Sequence, residues 1–145
     1  MISIALNNIL YFWSNKQKDN NVHKVSELQD DCFYCSLKWN PGGSMIGTGS
    51  NQGVLDIIDS QKFEPLWTQV VHSSRISSMS WMSEYIVSTG SRDNSIKTFD
   101  LRTPTNTVVL LKHSQEVCGL KWSPNGIHLA SGGNDNTIHI WDHRR

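Results

Sequence analysis

The sequence has no excess of charge of either sign, because its 13 basic and 13 acidic side chains balance to a formal net charge of zero. That balance gives no sign of a broad polyanion-binding surface, so nucleic acid is not an expected partner. No apolar run approaches the roughly 20 residues that a membrane helix needs, so no membrane association is expected. Three cysteines make an odd, low count that fits a reducing compartment rather than a disulfide framework.

Helical periodicity is also lacking, whereas short alternating runs and polar turns are common. The N-terminal stretch MISIALNNILYFW has no basic segment and no small-residue cleavage site, and it is predicted to form a buried β-hairpin rather than a signal peptide. Tryptophan, by contrast, is abundant, with six residues in the chain. This abundance suggests a fold that places large flat side chains at repeated positions.

Three kinds of residue recur at a common spacing of 41 or 42 positions. The first is a tryptophan that ends an alternating run, the second is a glycine after small residues, and the third is an aspartate that closes each unit. Since the three markers are independent and share one period, chance is a poor explanation. The marker residues are Trp39, Trp81 and Trp122, then Gly49, Gly90 and Gly132, then Asp59, Asp100 and Asp142.

A period near 40–45 residues with strand-like alternation and Trp-Asp ends is typical of WD repeats. Each unit has room for four short strands, here called a to d, joined by tight turns. The sequence therefore predicts an all-β chain, a β-propeller of WD repeats with about three and a half blades over residues 1–145. The predicted units are a partial blade at 2–28, blades at 30–71 and 72–112, and a partial blade at 113–145.

WD blades often contain a buried polar chain that joins a histidine before strand a, a hydroxyl on strand b, an aspartate in the b–c turn and a strand-c tryptophan. A fully hydrogen-bonded chain of this kind fixes one geometry in the blade interior. The fourth unit matches all of these positions and the third unit matches three. The predicted members are His113, Ser131, Asp135 and Trp141 in the fourth unit, and His72, Ser88 and Asp93 in the third.

The network is predicted to weaken toward the N-terminus. Phe99 replaces the strand-c tryptophan in the third unit, and Ile58 stands at that position in the second. Histidine, serine and aspartate also suggest a hydrolase. However, the sequence contains no G-x-S-x-G nucleophile elbow, and periodic recurrence of these residues indicates architecture. No catalytic residue and no cofactor are therefore predicted.

The cysteines and the remaining histidines predict no metal site. Cys32 and Cys35 have the spacing of half a zinc site, but no second pair follows, and three positions apart on a strand they would point to opposite faces. Cys35 and Cys118 each lie four residues before a marker tryptophan and are predicted to be small buried core residues. His128 and His139 lie on predicted strands and are expected to face outward.

Three stretches carry a more specific resemblance. HSQEVCGLKWSPNGIHLASGGNDN at 113–136 resembles the fizzy-type proteins, the cell-division-cycle-twenty family that activates the anaphase-promoting complex. SIALNNILYFWS at 3–14 and STGSRDNSIKTFDLRTP at 88–104 are similar to elements of that family's first and third blades. The resemblance covers nearly the whole chain in the same order. It implies a seven-bladed ring of which this chain would be an open fragment.

The resemblance also implies a function. Such a propeller recruits substrates to the anaphase-promoting complex ubiquitin ligase by binding destruction-box and Lys-Glu-Asn motifs of cell-cycle proteins in extended form. It would perform no chemistry itself and would occur in the nucleus and cytoplasm. Expected partners are ligase subunits and motif-bearing proteins. Candidate partner-binding residues lie in loops of the top face, where the d–a and b–c connections meet: Arg75, Arg92, Asn94, Gln115, Asn134 and Asn136.

Two alternatives stay open from the residues alone. The chain could be a generic WD-repeat interaction scaffold with other partners, or a truncated remnant of a substrate adaptor. The terminal blades would leave apolar faces open to water, and apolar patches of more than a few hundred Å² mark association sites. The isolated chain is therefore expected to need further blades or another chain.

Overall fold

The computed structural model describes residues 1–13, 22–103 and 105–144. Within these ranges the chain forms fourteen β-strands arranged in four antiparallel sheets, which confirms the all-β prediction. No helix in the same ranges has the length and apolar character to cross a bilayer. In every sheet, strands that follow one another in the chain are neighbours, so each sheet is a simple meander.

The two middle sheets have four strands and the two outer sheets have three. The first sheet contains β1 (Ile2–Leu6), β2 (Ile9–Trp13) and β3 (Val22–Glu27). The second contains β4 (Tyr34–Trp39), β5 (Met45–Ser50), β6 (Val54–Asp59) and β7 (Pro65–Val70). The third contains β8 (Ile76–Trp81), β9 (Ile86–Ser91), β10 (Ser95–Asp100) and β11 (Val108–Leu111). The fourth contains β12 (Val117–Trp122), β13 (His128–Gly133) and β14 (Ile138–Asp142).

Within the described part of the chain, the core consists of three apolar clusters, each placed between two neighbouring sheets. Leu10 and Phe12 of the first sheet pack with Ile46 and Ile58 of the second. A larger cluster joins the second sheet to the third, and Ile96 of the third sheet packs with Val117, Trp122 and Leu129 of the fourth. Because burial of apolar area drives folding, each sheet depends on its neighbours for stability.

The marker tryptophans connect successive sheets. Each ends the innermost strand of its sheet and donates its indole N–H to the preceding sheet, so a buried donor is satisfied across the interface. The bonds run from Trp39 Nε1 to Ser3 Oγ at 3.0 Å, from Trp81 Nε1 to the Lys38 carbonyl at 2.9 Å, and from Trp122 Nε1 to Ser88 Oγ at 3.0 Å.

The marker glycines allow the next sheet to come close. A Cβ built on Gly49 would lie 2.6 Å from Cβ of Ile76, and one built on Gly90 would lie 2.7 Å from Cγ1 of Val117. A Cβ built on Gly132 of the fourth sheet would meet no atom within 4 Å. The repeated glycine is therefore a sheet-packing residue wherever a following sheet is present.

The structure contradicts the burial predicted for two cysteines. Cys118 is exposed and Cys35 is half-buried. The strand register shifts across Cys35 on β4, across Ser77 on β8 and across Cys118 on β12, so each of these residues is the extra residue of a β-bulge. Because a bulge turns its extra residue away from the regular alternation, all three side chains line a shared inner pocket instead of the core.

The predicted N-terminal hairpin is formed by β1 and β2, but only one of its strands is buried. Leu10 and Phe12 on β2 are completely buried. Ile2, Ile4 and Leu6 on β1 remain between 47% and 60% exposed. The prediction of a buried hairpin is therefore wrong for β1, which is an edge strand of its sheet.

Candidate functional site

The fourth sheet contains a continuous polar network. His113 Nδ1 lies 2.9 Å from Asp135 Oδ2, and His113 Nε2 lies 2.8 Å from Ser131 Oγ. Trp141 Nε1 donates to the same Ser131 Oγ at 2.9 Å. Four residues that the repeat pattern selected are thus brought together, and they tie the loop before β12 to β13, to the β13–β14 turn and to β14.

The third sheet repeats this arrangement with a different hydroxyl. His72 Nδ1 lies 2.9 Å from Asp93 Oδ2, but His72 Nε2 bonds Thr89 Oγ1 at 2.8 Å. Ser88 Oγ instead bonds Thr98 Oγ1 at 2.7 Å and accepts the indole N–H of Trp122. The prediction that Ser88 is the partner of His72 is wrong by one residue, and adjacent strand residues point to opposite faces.

The marker glycine contained the signal that locates the correct hydroxyl. Ser131 directly precedes Gly132, and Thr89 directly precedes Gly90. Alignment of the two units on this glycine therefore selects Thr89, whereas the match of residue type alone selects the neighbouring serine.

Both histidine side chains are 0% exposed and make hydrogen bonds through both ring nitrogens. Burial lowers the pKa of His72, although Asp93 opposes that shift. Burial alone would raise the pKa of Asp93, but hydrogen bonds from Ser95 and the nearby His72 outweigh it and lower the pKa to about 2. The pair is therefore a neutral imidazole held against an ionised carboxylate at neutral pH.

A groove opens on the top face between the third and fourth sheets. Its volume is about 460 Å³, and the loops before β8 and β12 meet the β9–β10 and β13–β14 turns there. Five of the six residues predicted to bind a partner line this one groove. The lining residues are Arg75, Arg92, Asn94, Ser114, Gln115, Glu116 and Asn134.

An ion pair joins the two loops at the groove. Arg75 Nε and Nη2 donate to the two carboxylate oxygens of Glu116, each at 2.6 Å, and Ser77 Oγ donates to the same carboxylate. The hydrogen bond from Arg75 is the main cause that holds the pKa of Glu116 below its ordinary value. Because a bidentate pair has a fixed orientation, it sets the spacing of the loops that carry the other groove residues.

The rest of the groove offers polar groups to a ligand. Arg92 is exposed and forms no ion pair with another described residue, while Arg75 is neutralised by Glu116. Gln115 and Asn134 are exposed amides, and Asn94 Nδ2 donates to the Ser114 carbonyl at 3.1 Å. A free guanidinium with several amides suits a short peptide that has a carboxylate and amide groups.

Asn136 is the one predicted partner-binding residue that lies outside the groove lining. It adopts the left-handed conformation, with φ of 59°, in the β13–β14 turn. Asn94, one repeat earlier, has φ of 69° in the β9–β10 turn. Asparagine tolerates this conformation better than most residues, so the recurring asparagine is explained by turn geometry.

His139 does not face outward as predicted. Its ring makes an edge-to-face contact with the ring of His113, with centroids 4.6 Å apart, and its Nε2 lies 3.2 Å from Thr137 Oγ1. His128 is exposed as expected. The outward prediction failed for His139 because its strand position faces the polar network rather than the solvent side of β14.

The repeat period, the four meander sheets and the buried His–Asp networks define a WD-repeat propeller protein. A family model described as "WD domain, G-beta repeat" matches residues 104–142. A second model, described as "Anaphase-promoting complex subunit 4 WD40 domain", matches residues 4–84 and thus more than half of the chain. The chain belongs to this anaphase-promoting-complex WD40 family. The predicted propeller of about three and a half WD blades is confirmed.

Individual relatives agree with the fizzy-type resemblance and confirm it. The chain is 35% identical over 145 residues to the WD repeat-containing protein slp1 of Schizosaccharomyces pombe. It is 38% identical over 143 residues to the anaphase-promoting complex subunit cdc20 of Dictyostelium discoideum. It is 36% identical over 143 residues to the protein FIZZY-RELATED 1 of Arabidopsis thaliana. These alignments cover 98–99% of the chain and 28–30% of the relatives.

A solved structure shows the same fold. A chain in the crystal structure of a mitotic checkpoint complex superposes with a TM-score of 0.91 and 35% sequence identity. The match covers 99% of this chain and 43% of that chain. The chain therefore spans less than half the length of the relatives and of the solved structure that it matches.

Proposed function

We propose that this chain forms the substrate-recruiting surface of an activator of the anaphase-promoting complex ubiquitin ligase. It binds short degradation motifs of cell-cycle proteins in extended form and performs no chemistry itself. It works in the nucleus and cytoplasm, where ligase subunits and motif-bearing proteins are its partners. The names of its relatives support the ligase pathway, and the top-face groove supports the binding role.

One observation carries this proposal: residues from four connections, selected in the sequence for motif binding, line a single groove. Arg75 and Gln115 come from the loops before β8 and β12, and Arg92 and Asn134 come from turns in the third and fourth sheets. Burial of the Glu116 carboxylate against Arg75 holds the loops together before any ligand arrives. A preformed site binds a flexible peptide at a lower entropic cost.

The groove chemistry matches a Lys-Glu-Asn motif. The glutamate carboxylate of the motif pairs with Arg92, which forms no ion pair with a described residue and acts on Glu116 only at longer range. The asparagine amide and the peptide backbone exchange hydrogen bonds with Asn134 and Gln115. A contact to a charged group contributes more than a neutral hydrogen bond, so Arg92 is the residue with the largest expected effect.

The test is fluorescence anisotropy of a labelled Lys-Glu-Asn peptide titrated with the full chain. Arg92→Gln is expected to weaken binding about 10-fold, which corresponds to a lost contact of about 1.4 kcal/mol. Arg102→Gln is the matched control, because Arg102 pairs with Asp100 beyond the far end of β10. Near-ultraviolet circular dichroism of each variant verifies that the fold is retained.

Two results would count against the proposal. Equal weakening by Arg92→Gln and Arg102→Gln would mean that the peptide responds to net charge and not to the groove. Absence of binding by a folded chain, with binding of unrelated proteins at the same face, would favour a generic WD-repeat scaffold. A peptide with alanine in place of its glutamate should bind as weakly as the native peptide binds to the Arg92 variant.

A further inference from the structure

Four polar side chains of the fourth sheet converge on one point. Thr137 Oγ1 lies 2.8 Å from Asp135 Oδ1, 3.2 Å from His139 Nε2 and 3.4 Å from His113 Nδ1. The ligating atoms of His113, Asp135 and His139 all lie within 4.8 Å of one another. His139 is not needed by the WD network, which is complete without it.

We propose that His113, Asp135 and His139 bind a zinc ion, with a water molecule beside Thr137 as the fourth ligand. Imidazole nitrogens and carboxylate oxygens are ligands that zinc accepts in tetrahedral sites. At metal–ligand distances of about 2.0–2.2 Å, a tetrahedron separates its ligand atoms by about 3.4 Å. His113 Nδ1 and Asp135 Oδ2 are 2.9 Å apart, and all three ligand atoms lie within 4.8 Å of one another, so side-chain shifts would bring them to this spacing.

The proton on His113 has a place to go when the metal binds. Ser131 Oγ accepts the Trp141 indole N–H and donates its own proton to His113 Nε2, which leaves the imidazole proton on Nδ1 toward Asp135. Zinc at Nδ1 requires the neutral tautomer with the proton on Nε2. Ser131 Oγ then accepts both this proton and the Trp141 indole N–H, and its own hydroxyl proton turns away from the imidazole. A hydrogen bond from the second ring nitrogen is the usual support of a metal-bound histidine.

The third sheet shows the same framework with a residue that cannot bind metal. His72, Asp93 and Ser95 occupy the equivalent positions, but Lys97 stands where the fourth sheet has His139. The Lys97 ammonium donates to the Val71 carbonyl at 2.6 Å. The repeat position of Lys97 and His139 therefore accommodates a cationic group beside a His–Asp pair. In the fourth sheet, His139 places an imidazole that can ligate a metal at this same position.

The bound ion would connect three separate parts of the fourth sheet. His113 lies in the loop before β12, Asp135 lies in the β13–β14 turn, and His139 lies on β14. Among the described residues, β14 has no strand paired on its outer edge. Because an ion that binds only the folded state stabilises it by mass action, zinc should raise the melting temperature of the chain.

The test uses the full chain after treatment with EDTA, titrated with ZnCl₂ while thermal unfolding is followed. We expect one zinc ion per chain, binding at micromolar concentration, with a rise in Tm of about 5 °C at saturation. Co²⁺ in place of zinc should give the visible absorption bands of a tetrahedral site. No zinc-dependent rise in Tm and no tetrahedral cobalt spectrum would overturn the proposal.

Three variants separate this site from adventitious binding. His139→Lys copies the third sheet, so it should fold normally and lose the zinc response. His128→Gln removes an exposed histidine on the neighbouring strand and should keep the response. Lys97→His should create a second site in the third sheet and raise the stoichiometry to two ions. Equal zinc responses of the His139 and His128 variants would show that the His113–Asp135–Thr137 cluster is a hydrogen-bond network only.

Discussion

The third and fourth sheets have nearly the same sequence pattern but very different burial. Ile96 on β10 and Ile138 on β14 occupy equivalent repeat positions, yet Ile96 is 0% exposed and Ile138 is 77% exposed. Ile96 packs against Val117, Trp122 and Leu129 of the following sheet. The fourth sheet has no following sheet within the described residues. A repeat position is therefore a core position only when a neighbouring blade covers it.

Substitution of these two isoleucines should give the largest difference between the sheets. Ile96→Ala leaves a cavity in the interface of the third and fourth sheets and should lower the free energy of unfolding by about 2–5 kcal/mol. Ile138→Ala removes an exposed side chain and should change it by less than about 0.5 kcal/mol. Urea unfolding followed by circular dichroism measures both values.

Similar losses for the two variants would contradict this comparison. They would mean that another surface covers Ile138 in solution, for example a second copy of the chain. Sedimentation velocity at two protein concentrations would then distinguish self-association from a monomer, since the fraction of associated chains rises with concentration.

The indole bond between the two sheets should have an intermediate effect. Trp122→Phe removes the donor to Ser88 Oγ and replaces the indole with a smaller aromatic ring. The loss of one buried hydrogen bond should cost about 1–2 kcal/mol of unfolding free energy. Trp67→Phe is the control, because the Trp67 indole has no hydrogen-bond partner among the described residues, and it should cost less in the same urea experiment. An equal cost for both would assign the effect to ring packing alone.

The sequence was sufficient to predict the order of the repeat units and the aspartate that ends each of them. Its 41- and 42-residue spacing follows directly from stacked blades, because every blade needs the same tryptophan and glycine for contact with a neighbour. The groove residues were also predictable, since the loops of successive units must meet at one end of the sheets. Five of the six candidates line it for this reason.

Most errors came from features that the spacing of the markers does not encode, whereas the Ser88 error came from matching residue type instead of aligning the units on Gly90. The face of the sheet toward which the Ser88 side chain points depends on strand register, because a shift of one residue moves a side chain to the opposite face. The exposure of Cys118 depends on a β-bulge, which inserts an unpaired residue and breaks the alternation. His139 was misplaced because β14 turns this residue toward a histidine 26 positions earlier in the chain. These three errors each concern a single residue within a predicted strand, whereas the exposure of β1 affects a whole edge strand that no neighbouring sheet in the described ranges covers on its outer side.

The smallest expected effect concerns the pH dependence of the third sheet. Burial lowers the pKa of His72 below 6.5, so the unfolded chain binds its proton more readily than the folded chain does. The contribution of neutral His72 to the free energy of unfolding is thus complete above about pH 6.5 and declines as the pH falls below that value. Asp93 and Lys97 are the charged groups that act on His72, and their effects on its pKa oppose each other.

Asp93 produces a second window at lower pH. Its pKa falls from 3.8 to about 2 on folding, so its contribution is present above about pH 4 and is lost as the pH falls toward 2. Urea midpoints measured from pH 7.5 to pH 3 should therefore decline in two stages. His72→Gln should flatten the decline between pH 7 and pH 5 relative to the unmodified chain, while the stage below pH 4 persists. An unchanged upper stage in this variant would assign that stage to the other histidines, and the acid sensitivity of the third sheet would then come from its carboxylates, Asp93 and Asp100.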